Sequence, residues 1–477
     1  AIWFKLKVFE VNVHSTLTDQ MASLFDVLRK RSLESGTVVA AIDGIASKGG
    51  TANTREQLPT TLTYLELHDH AERLAAVLFP LLSESFKDLK EALLATWMRR
   101  GCGWYCLFFA TVRLRVPIVA LSTDLPDEAT ERQRNEFIFA EHRPALVVTD
   151  SSAEIPVAVT VVQFSELWAW ATSAEPLHRT IEPFADDTIL CFCYTGGTTK
   201  AARCVKVSHG MALHEVATYP SMLRLSQRDR VLQQHSLYWG ASAFGEVDIA
   251  LAFGCTLVFC EAWETQVLAS SISTHGATCA GLVPSVLATL EHRDVPSLRC
   301  VLTWGEALQA RVARKWASRV HLVDLLISTE CWLSLYADWT AHATSIMRRD
   351  VTSDDDVPLF SLVRGARVRM RDGGTSSSEL LVSGRMVSPG YLDTRSLNNF
   401  EKEGDTWWYC TRDCVESCGT GYRFAGRADD LIKVGGVWID THDVERRVAD
   451  VSDVLEVSIS AKTAFVVLRA LGDGSVA

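Results

Sequence analysis

Apolar residues recur along the chain in two spacings, short unbroken runs and helical stripes, and the two alternate. Residues 61–78, TLTYLELHDHAERLAAVL, put Leu67, Ala71, Leu74, Ala75 and Leu78 on one helical face. Thr61 or Thr63 is placed to cap that helix, with Glu66 three residues after Thr63 as the reciprocal partner. Residues 106–121 join an apolar helical run to the strand-like PIVAL that starts at Pro117; charged helical material follows at 127–141, then a strand at 145–149. Strands at 231–237 and 255–260 flank a helix near 244–253, and a strand at 277–283 runs into a helix opened by Pro284-Ser285. Residues 298–303, 307–316 and 321–327 read strand, helix, strand. This alternation predicts an α/β fold of mainly parallel sheets with helices on their faces. In such sheets, ligands sit at the carboxyl ends of the strands.

Composition narrows the class. A chain of 477 residues, 48% hydrophobic and 22% charged, can bury a large core and corresponds to about three domain-sized units. Its net charge of −11 argues against a nucleic-acid surface, which needs clustered cations. The densest basic cluster, Arg29-Lys30-Arg31, follows the periodic run 21–28 and is read as a solvated helix end. The 13 cysteines form no C-x-x-C pair, and Cys410, Cys414 and Cys418 lack a fourth ligand, so reduced thiols in a cytoplasmic setting are expected rather than a metal there. The longest apolar stretches, 104–110 and 249–260, are too short to span a bilayer. The chain opens on Ala1 with no signal-peptide pattern, and the expectation is a processed chain or a piece of a longer one.

The densest chemistry lies at 191–209, CFCYTGGTTKAARCVKVSH. A strand ending at Tyr194 empties into a turn in which Gly196 and Gly197 let backbone N–H groups approach an anion, and Thr195, Thr198 and Thr199 add hydroxyl donors. Lys200, Arg203 and Lys206 supply countercharge, and a second short strand follows. Without a Gly-Lys-Ser/Thr this is not a P-loop. A solvated hairpin is the blander account of the same residues. Farther on, Ser328-Thr329-Glu330 follows a strand and by itself reads as a helix N-cap with a first-turn acid.

YTGGTT, a basic residue nine places after Tyr194, then Val205 and Ser208-His209, together resemble the phosphate loop of the adenylate-forming superfamily: acyl-CoA synthetases, firefly luciferase and the adenylation domains of nonribosomal peptide synthetases. Lys200, Ala202, Arg203 and Cys204 stand where that loop has Gly, Pro, Lys and Gly. By the same resemblance Thr329 would touch phosphate and Glu330 hold Mg²⁺, a hard ion suited to carboxylate oxygen, while Leu326 replaces an adenine-stacking Tyr. The segment around Gly305, WGEA, would border the adenine. Residues 379–392, ELLVSGRMVSPGYL, match a β-rich element to which no chemistry is assigned, with Gly384 and Gly390 as turn residues.

In WWYCTRDCV, residues 407–415, Asp413 would bind both ribose hydroxyls, with Arg412 replacing a Gly. GRADDLIKVGGVWIDTHDVE, residues 426–445, resembles the family hinge: Arg427 would contact ribose or phosphate, and Asp429 would be the pivot of a small C-terminal domain. The resemblance thus implies a large N-terminal domain, 1–428, with a small β-rich subdomain, and a truncated α+β domain at 429–477. The family's catalytic Lys has no counterpart near the end, so the chain is expected to be truncated or impaired in adenylation.

Trp239-Gly240-Ala241-Ser242 falls where amino-acid-activating members carry FDxS. Trp239 is an aromatic gate or a core Trp, and Gly240 lacks the carboxylate that would pair with an α-ammonium. Unless Glu246 or Asp248 takes over, a carboxylic acid without that ammonium is favoured. The implied function is ATP- and Mg²⁺-dependent acyl-adenylate formation, with transfer to the thiol of CoA or of a carrier protein's phosphopantetheine. The rivals are an amino-acid adenylation domain and a nucleotide-binding remnant serving as a scaffold.

Overall fold

A computed structural model describes residues 23–44, 58–123, 127–151, 159–178, 185–195, 202–261, 264–346, 357–372, 377–393, 399–428, 431–434, 437–440, 444–445, 448, 454–460 and 463–468. Two sheets carry the α/β alternation. The first has six strands in the order Thr160–Gln163, Leu146–Thr149, Leu94–Trp97, Ile118–Ala120, Ile189–Tyr194 and Cys204–Ser208. All neighbours are parallel except the final hairpin. The second runs Ser361–Leu362, Cys331–Asp338, His321–Ser328, Cys300–Thr303, Cys279–Leu282, Arg230–Gln233, Thr256–Phe259, Val39–Asp43 and Thr61–Thr63, parallel in its middle and antiparallel at both edges. Its central strands are buried throughout, which is why they read as continuous apolar runs rather than alternating ones.

A third, antiparallel sheet of five strands supplies the β-rich part: Arg367–Asp372, Ser378–Ser383, Thr406–Cys418 and Phe400–Glu403, with Gly421–Arg427 on the free edge of Thr406–Cys418. Two hairpins follow, Leu431–Val434 with Val437–Asp440 and Val454–Ser460 with Thr463–Leu468.

The helix Tyr64–Ser83 begins as its sequence predicts. Thr63 accepts from Glu66 N–H, Glu66 reaches back to Thr63 N–H at 2.8 Å, and the five stripe residues are fully buried. The helix Cys102–Leu114 is buried nearly all round, and Trp104 stacks on Phe108 at 5.4 Å and meets Phe259 edge-on at 6.3 Å. Each such ring pair contributes about 0.5–1.5 kcal/mol beyond its burial.

Several expectations are corrected. Arg29-Lys30-Arg31 lies in mid-helix, in Leu24–Ser35, and is not a solvated end. The helical register aims Arg31 at the last turn of helix Gly240–Phe253, where its Nε donates to Leu251 O at 2.9 Å and its Nη2 to Ala252 O. Of the two carbonyls, Leu251 O otherwise accepts only the long 3.3 Å bond from the capping Gly254 N–H, and the carbonyl end of the helix favours a guanidinium. The strand expected over 231–237 stops at Gln233, because Gln234 N–H and His235 Nδ1 bond Glu246 and draw the backbone off the sheet. The following helix correspondingly starts at Gly240 rather than near Phe244. Thr329-Glu330 opens no helix but forms the tight turn between the antiparallel strands His321–Ser328 and Cys331–Asp338.

Arg412 takes the conformation its sequence context demands of a glycine. Its φ is +66° at a point where the pairing of Ser378–Ser383 with Thr406–Cys418 shifts register. A left-handed non-glycine residue costs about 1–3 kcal/mol, against about 0.4–1 kcal/mol for the extra chain entropy of glycine. Its 3.7 Å approach to Glu379 is half-exposed and offsets little. Arg412→Gly is therefore expected to raise stability by about 1 kcal/mol in a denaturant titration; a loss would show that the side chain, not the backbone, dominates at this position.

Candidate active site

The phosphate-loop hairpin and the Thr329-Glu330 turn come from different sheets and are held together by residues 384–392. Lys206 N–H donates to Gly390 O and Leu392 N–H to Cys204 O, while Trp332 N–H donates to Met386 O and Ser388 N–H to Glu330 O, all at 2.9–3.1 Å. Gly384 and Gly390 both have positive φ, 142° and 126°, so the strap can turn at each end.

This strap brings Arg203 to Glu330. Nη2 of Arg203 lies 3.4 Å from Oε1 of Glu330, across 127 residues of sequence. Tyr391 donates its hydroxyl to the same oxygen at 2.6 Å, and the Arg203 guanidinium lies over the Tyr391 ring at 4.6 Å. Burial, then the adjacent Glu330 charge, raises the Tyr391 phenol well above its ordinary range, so it stays a donor. Glu330 is 3% exposed, whereas the Arg203 side chain is 39% exposed: a fixed acid beside a cation that faces outward. Thr195 is tied to the same end of the loop, its Oγ1 accepting from Arg203 N–H and its own N–H donating to Arg203 O, both at 3.0 Å.

Asp413 sits on the bulged strand with its carboxylate 3.3 Å from Arg427 Nε, while Arg427 Nη2 donates to Thr411 O. Its charge acts on both Tyr409 and Cys331, groups that also feel Glu330. Thr329 is half-buried in the turn beside Glu330, and Gly305, with φ 84°, follows the strand Cys300–Thr303. Arg203, Glu330 and the Asp413–Arg427 pair are thus brought to one region, with Thr195 and Thr329 at its edges. Gly196, Gly197, Thr198, Thr199, Lys200 and Asp429 lie outside the described residues.

Tyr391 was missed by the sequence reading, which assigned residues 379–392 no chemistry. The aromatic after Gly390 was the available signal, but only the fold joins it to an acid 61 residues away.

Trp239 is 41% exposed and precedes the helix Gly240–Phe253, so it is not a core residue. Gly240 is walled in: a Cβ there would lie 2.7 Å from Cys193 Sγ, 2.9 Å from Cys193 Cβ and 3.5 Å from Trp332. No side chain fits without movement. Gly240→Ala is expected to cost about 1–3 kcal/mol by overpacking. That cost should shrink in a Cys193→Gly background, and equal costs in both backgrounds would contradict the steric account.

Glu246 and Asp248 do not substitute for a carboxylate at Gly240. They lie about 9 and about 12 Å farther along the helix axis. Glu246 is already bonded to His235 Nδ1 at 2.8 Å and to Gln234 N–H, and burial raises its pKa. Asp248 is fully buried among the described residues with neither oxygen hydrogen-bonded.

The donor set suits a nucleotide and a hard divalent ion. Among the described residues both side-chain bonds to Glu330 fall on Oε1, so the second oxygen of a fixed, buried carboxylate remains for such an ion.

The AMP-binding enzyme family profile matches residues 46–392. Curated relatives include the nonribosomal peptide synthetase otaB of Aspergillus carbonarius, 25% identical over 69% of this chain and 17% of that protein. The peptide synthetase phqB of Penicillium fellutanum is 24% identical over 81% of this chain and 16% of its own length. The chain thus spans about a sixth of the length of these relatives. Among solved structures, Klebsiella oxytoca NpsA in complex with 3-hydroxyanthranilyl-AMSN has a TM-score of 0.77 at 18% identity, covering 94% of this chain and 90% of that one. O-succinylbenzoate coenzyme A synthetase (MenE) of Bacillus subtilis, in complex with AMP, has a TM-score of 0.71 at 20% identity, covering 94% and 89%. At these identities the structural likeness speaks for the fold, and the profile match over most of the chain speaks for the family: the protein belongs to the AMP-binding enzymes.

Proposed function

We propose that the chain activates a carboxylic acid as its acyl-adenylate at the expense of ATP and passes the acyl group to a thiol, of CoA or of a carrier protein's phosphopantetheine. The observation that carries the reading is the Arg203–Glu330–Tyr391 contact, which sets a half-exposed cation beside a buried carboxylate at the mouth of the phosphate-loop hairpin. Membership in the AMP-binding family supports it.

In this reading a carboxylate oxygen attacks the α-phosphorus, the bond to the bridging oxygen of the β-phosphate breaks, and pyrophosphate leaves. Arg203 would face the charge that grows on the α-phosphate oxygens, and Thr195, with Gly196, Gly197, Thr198, Thr199 and Lys200 of the loop outside the described residues, would supply further donors to the phosphates. Asp413 accepts the ribose hydroxyls, and Arg427 holds that carboxylate. Gly305 and Thr329 border the nucleotide. Glu330 would hold Mg²⁺, which supplies charge neutralisation on the departing phosphates. Tyr391 fixes which Glu330 oxygen is presented. Residues 1–428 would carry this site, with 429–477 turning about Asp429.

The acid is one without an α-ammonium. A buried ammonium needs a counterion, and the space at Gly240 where one would enter is filled by Cys193 and Trp332. Among the described residues, no helix is long and apolar enough to cross a membrane.

ATP–pyrophosphate exchange across a panel of aryl, fatty, hydroxy and α-amino acids tests this. Exchange with a non-amino acid is expected. Exchange confined to α-amino acids would overturn the substrate class, and ATP binding without exchange for any acid would leave a scaffold remnant.

A further inference from the structure

Beside the hairpin formed by Ile189–Tyr194 and Cys204–Ser208, three side chains of different types converge. Cys204 opens the strand Cys204–Ser208, and its Sγ lies 3.4 Å from His142 Nε2 at the end of helix Glu128–His142. The donor atoms of Glu141, His142 and Cys204 all lie within 4.8 Å of one another. Zinc bonds sulfur at about 2.3 Å and imidazole nitrogen at about 2.0 Å, so a tetrahedral ion holds these two atoms about 3.5 Å apart, close to the separation found.

The surroundings also suit a metal. Tyr194 donates its hydroxyl to Glu141 Oε2 at 2.6 Å, leaving Oε1 of that carboxylate for an ion and fixing its direction. The Tyr194 ring stacks on Tyr238 at 5.0 Å and 5°, and His142 packs tilted on Phe192 at 4.8 Å, so both orienting groups are held by rings. Cys204 is buried while Glu141 is exposed, which gives the ion a route in from solvent.

We propose that Glu141, His142 and Cys204 form a binding site for zinc or a similar borderline-soft divalent cation, with water as the fourth ligand. A thiolate in the set selects zinc over magnesium or calcium. Coordination displaces the thiol proton to solvent and forms the metal–sulfur bond. The ion clamps the end of helix Glu128–His142 to the strand that follows Arg203, so the site is distinct from the Mg²⁺ position at Glu330.

The test is titration of the full chain, stripped with chelator, with Co²⁺ and then Zn²⁺, followed by absorbance and thermal melting. The expected result is a thiolate-to-cobalt charge-transfer band saturating at one equivalent, displaced by Zn²⁺, with a rise in melting temperature. Cys204→Ser should abolish the band, and His142→Gln should weaken Co²⁺ binding by at least about tenfold. Cys414→Ser should leave the band unchanged. If Cys204→Ser fails to fold, His142→Gln and Tyr194→Phe carry the test, the latter expected to lose about 10–100-fold in affinity through Glu141. No band in the unmodified chain, or a band that survives in a folded Cys204→Ser or His142→Gln protein, would overturn the site.

Discussion

Glu330→Gln is expected to reduce ATP–pyrophosphate exchange by about 10²–10³-fold while shifting the melting temperature little. The amide keeps an oxygen that accepts from Tyr391, so the 2.6 Å bond and the strap around it survive. What goes is the charge. In the proposed reading its loss removes the hard ligand for a divalent ion, and it leaves Arg203 without its acid. Removal of one preorganised charge-stabilising group costs about 2.7–4 kcal/mol in the transition state. The stability cost is smaller, because the Arg203 end of the pair is 39% exposed and such pairs contribute about 0–1 kcal/mol. Exchange rate and thermal melt measured on one preparation separate the two. A rate within about tenfold of the parent protein, with an unchanged melt, would remove Glu330 from the mechanism. Tyr391→Phe is the companion: Glu330 keeps its charge but loses its fixed direction, so the exchange rate should fall between the two.

A second large effect concerns stability. Glu215 is buried between its own helix, His209–Met222, and the strand Cys331–Asp338, accepting from Leu333 N–H at 3.1 Å and from the Tyr219 hydroxyl. Burial pushes its pKa up to about 8, from an ordinary 4.5, although both hydrogen bonds favour the charged form. Asp248, with no hydrogen bond to either oxygen, is raised by burial and by the neighbouring Glu215 charge. In each case the folded state holds its proton more tightly than the unfolded chain. Stability is therefore full below the ordinary carboxylate range and falls as pH rises through about 8 for Glu215. Each unit of that interval is worth about 1.4 kcal/mol per group. Against a total of about 5–15 kcal/mol, such a slope is large. Glu215→Gln, which cannot ionise, is expected to flatten the profile, being more stable than the parent at about pH 8 and no more stable at about pH 5. Denaturant midpoints at the two pH values decide it, and parallel profiles would show that Glu215 is already ionised at the lower one.

The α/β alternation, the capping box at Thr63 and the buried stripe of helix Tyr64–Ser83 were legible because each depends on neighbours a few residues away. Strand edges were less so: residues 231–237, VLQQHSL, read as one strand to Leu237, but Glu246 captures Gln234 and His235 and ends the strand. Arg31 shows the same limit. Its charge was visible in the sequence, whereas its target, the last carbonyls of a helix 220 residues on, was not.

By itself the sequence determined the order of strands and helices, the phosphate-loop hairpin and, through likeness to a family, which residues to watch: Arg203, Glu330 and Asp413. Only the tertiary structure decided that Tyr391 bonds Glu330, that Cys193 and Trp332 close the space at Gly240, and that Cys204 meets His142. Hydrophobic periodicity encodes which face of an element turns inward, and that is local information. Which atoms then touch depends on how two sheets and a strap pack, and the side chains that make those contacts lie too far apart along the chain for any repeat to register them.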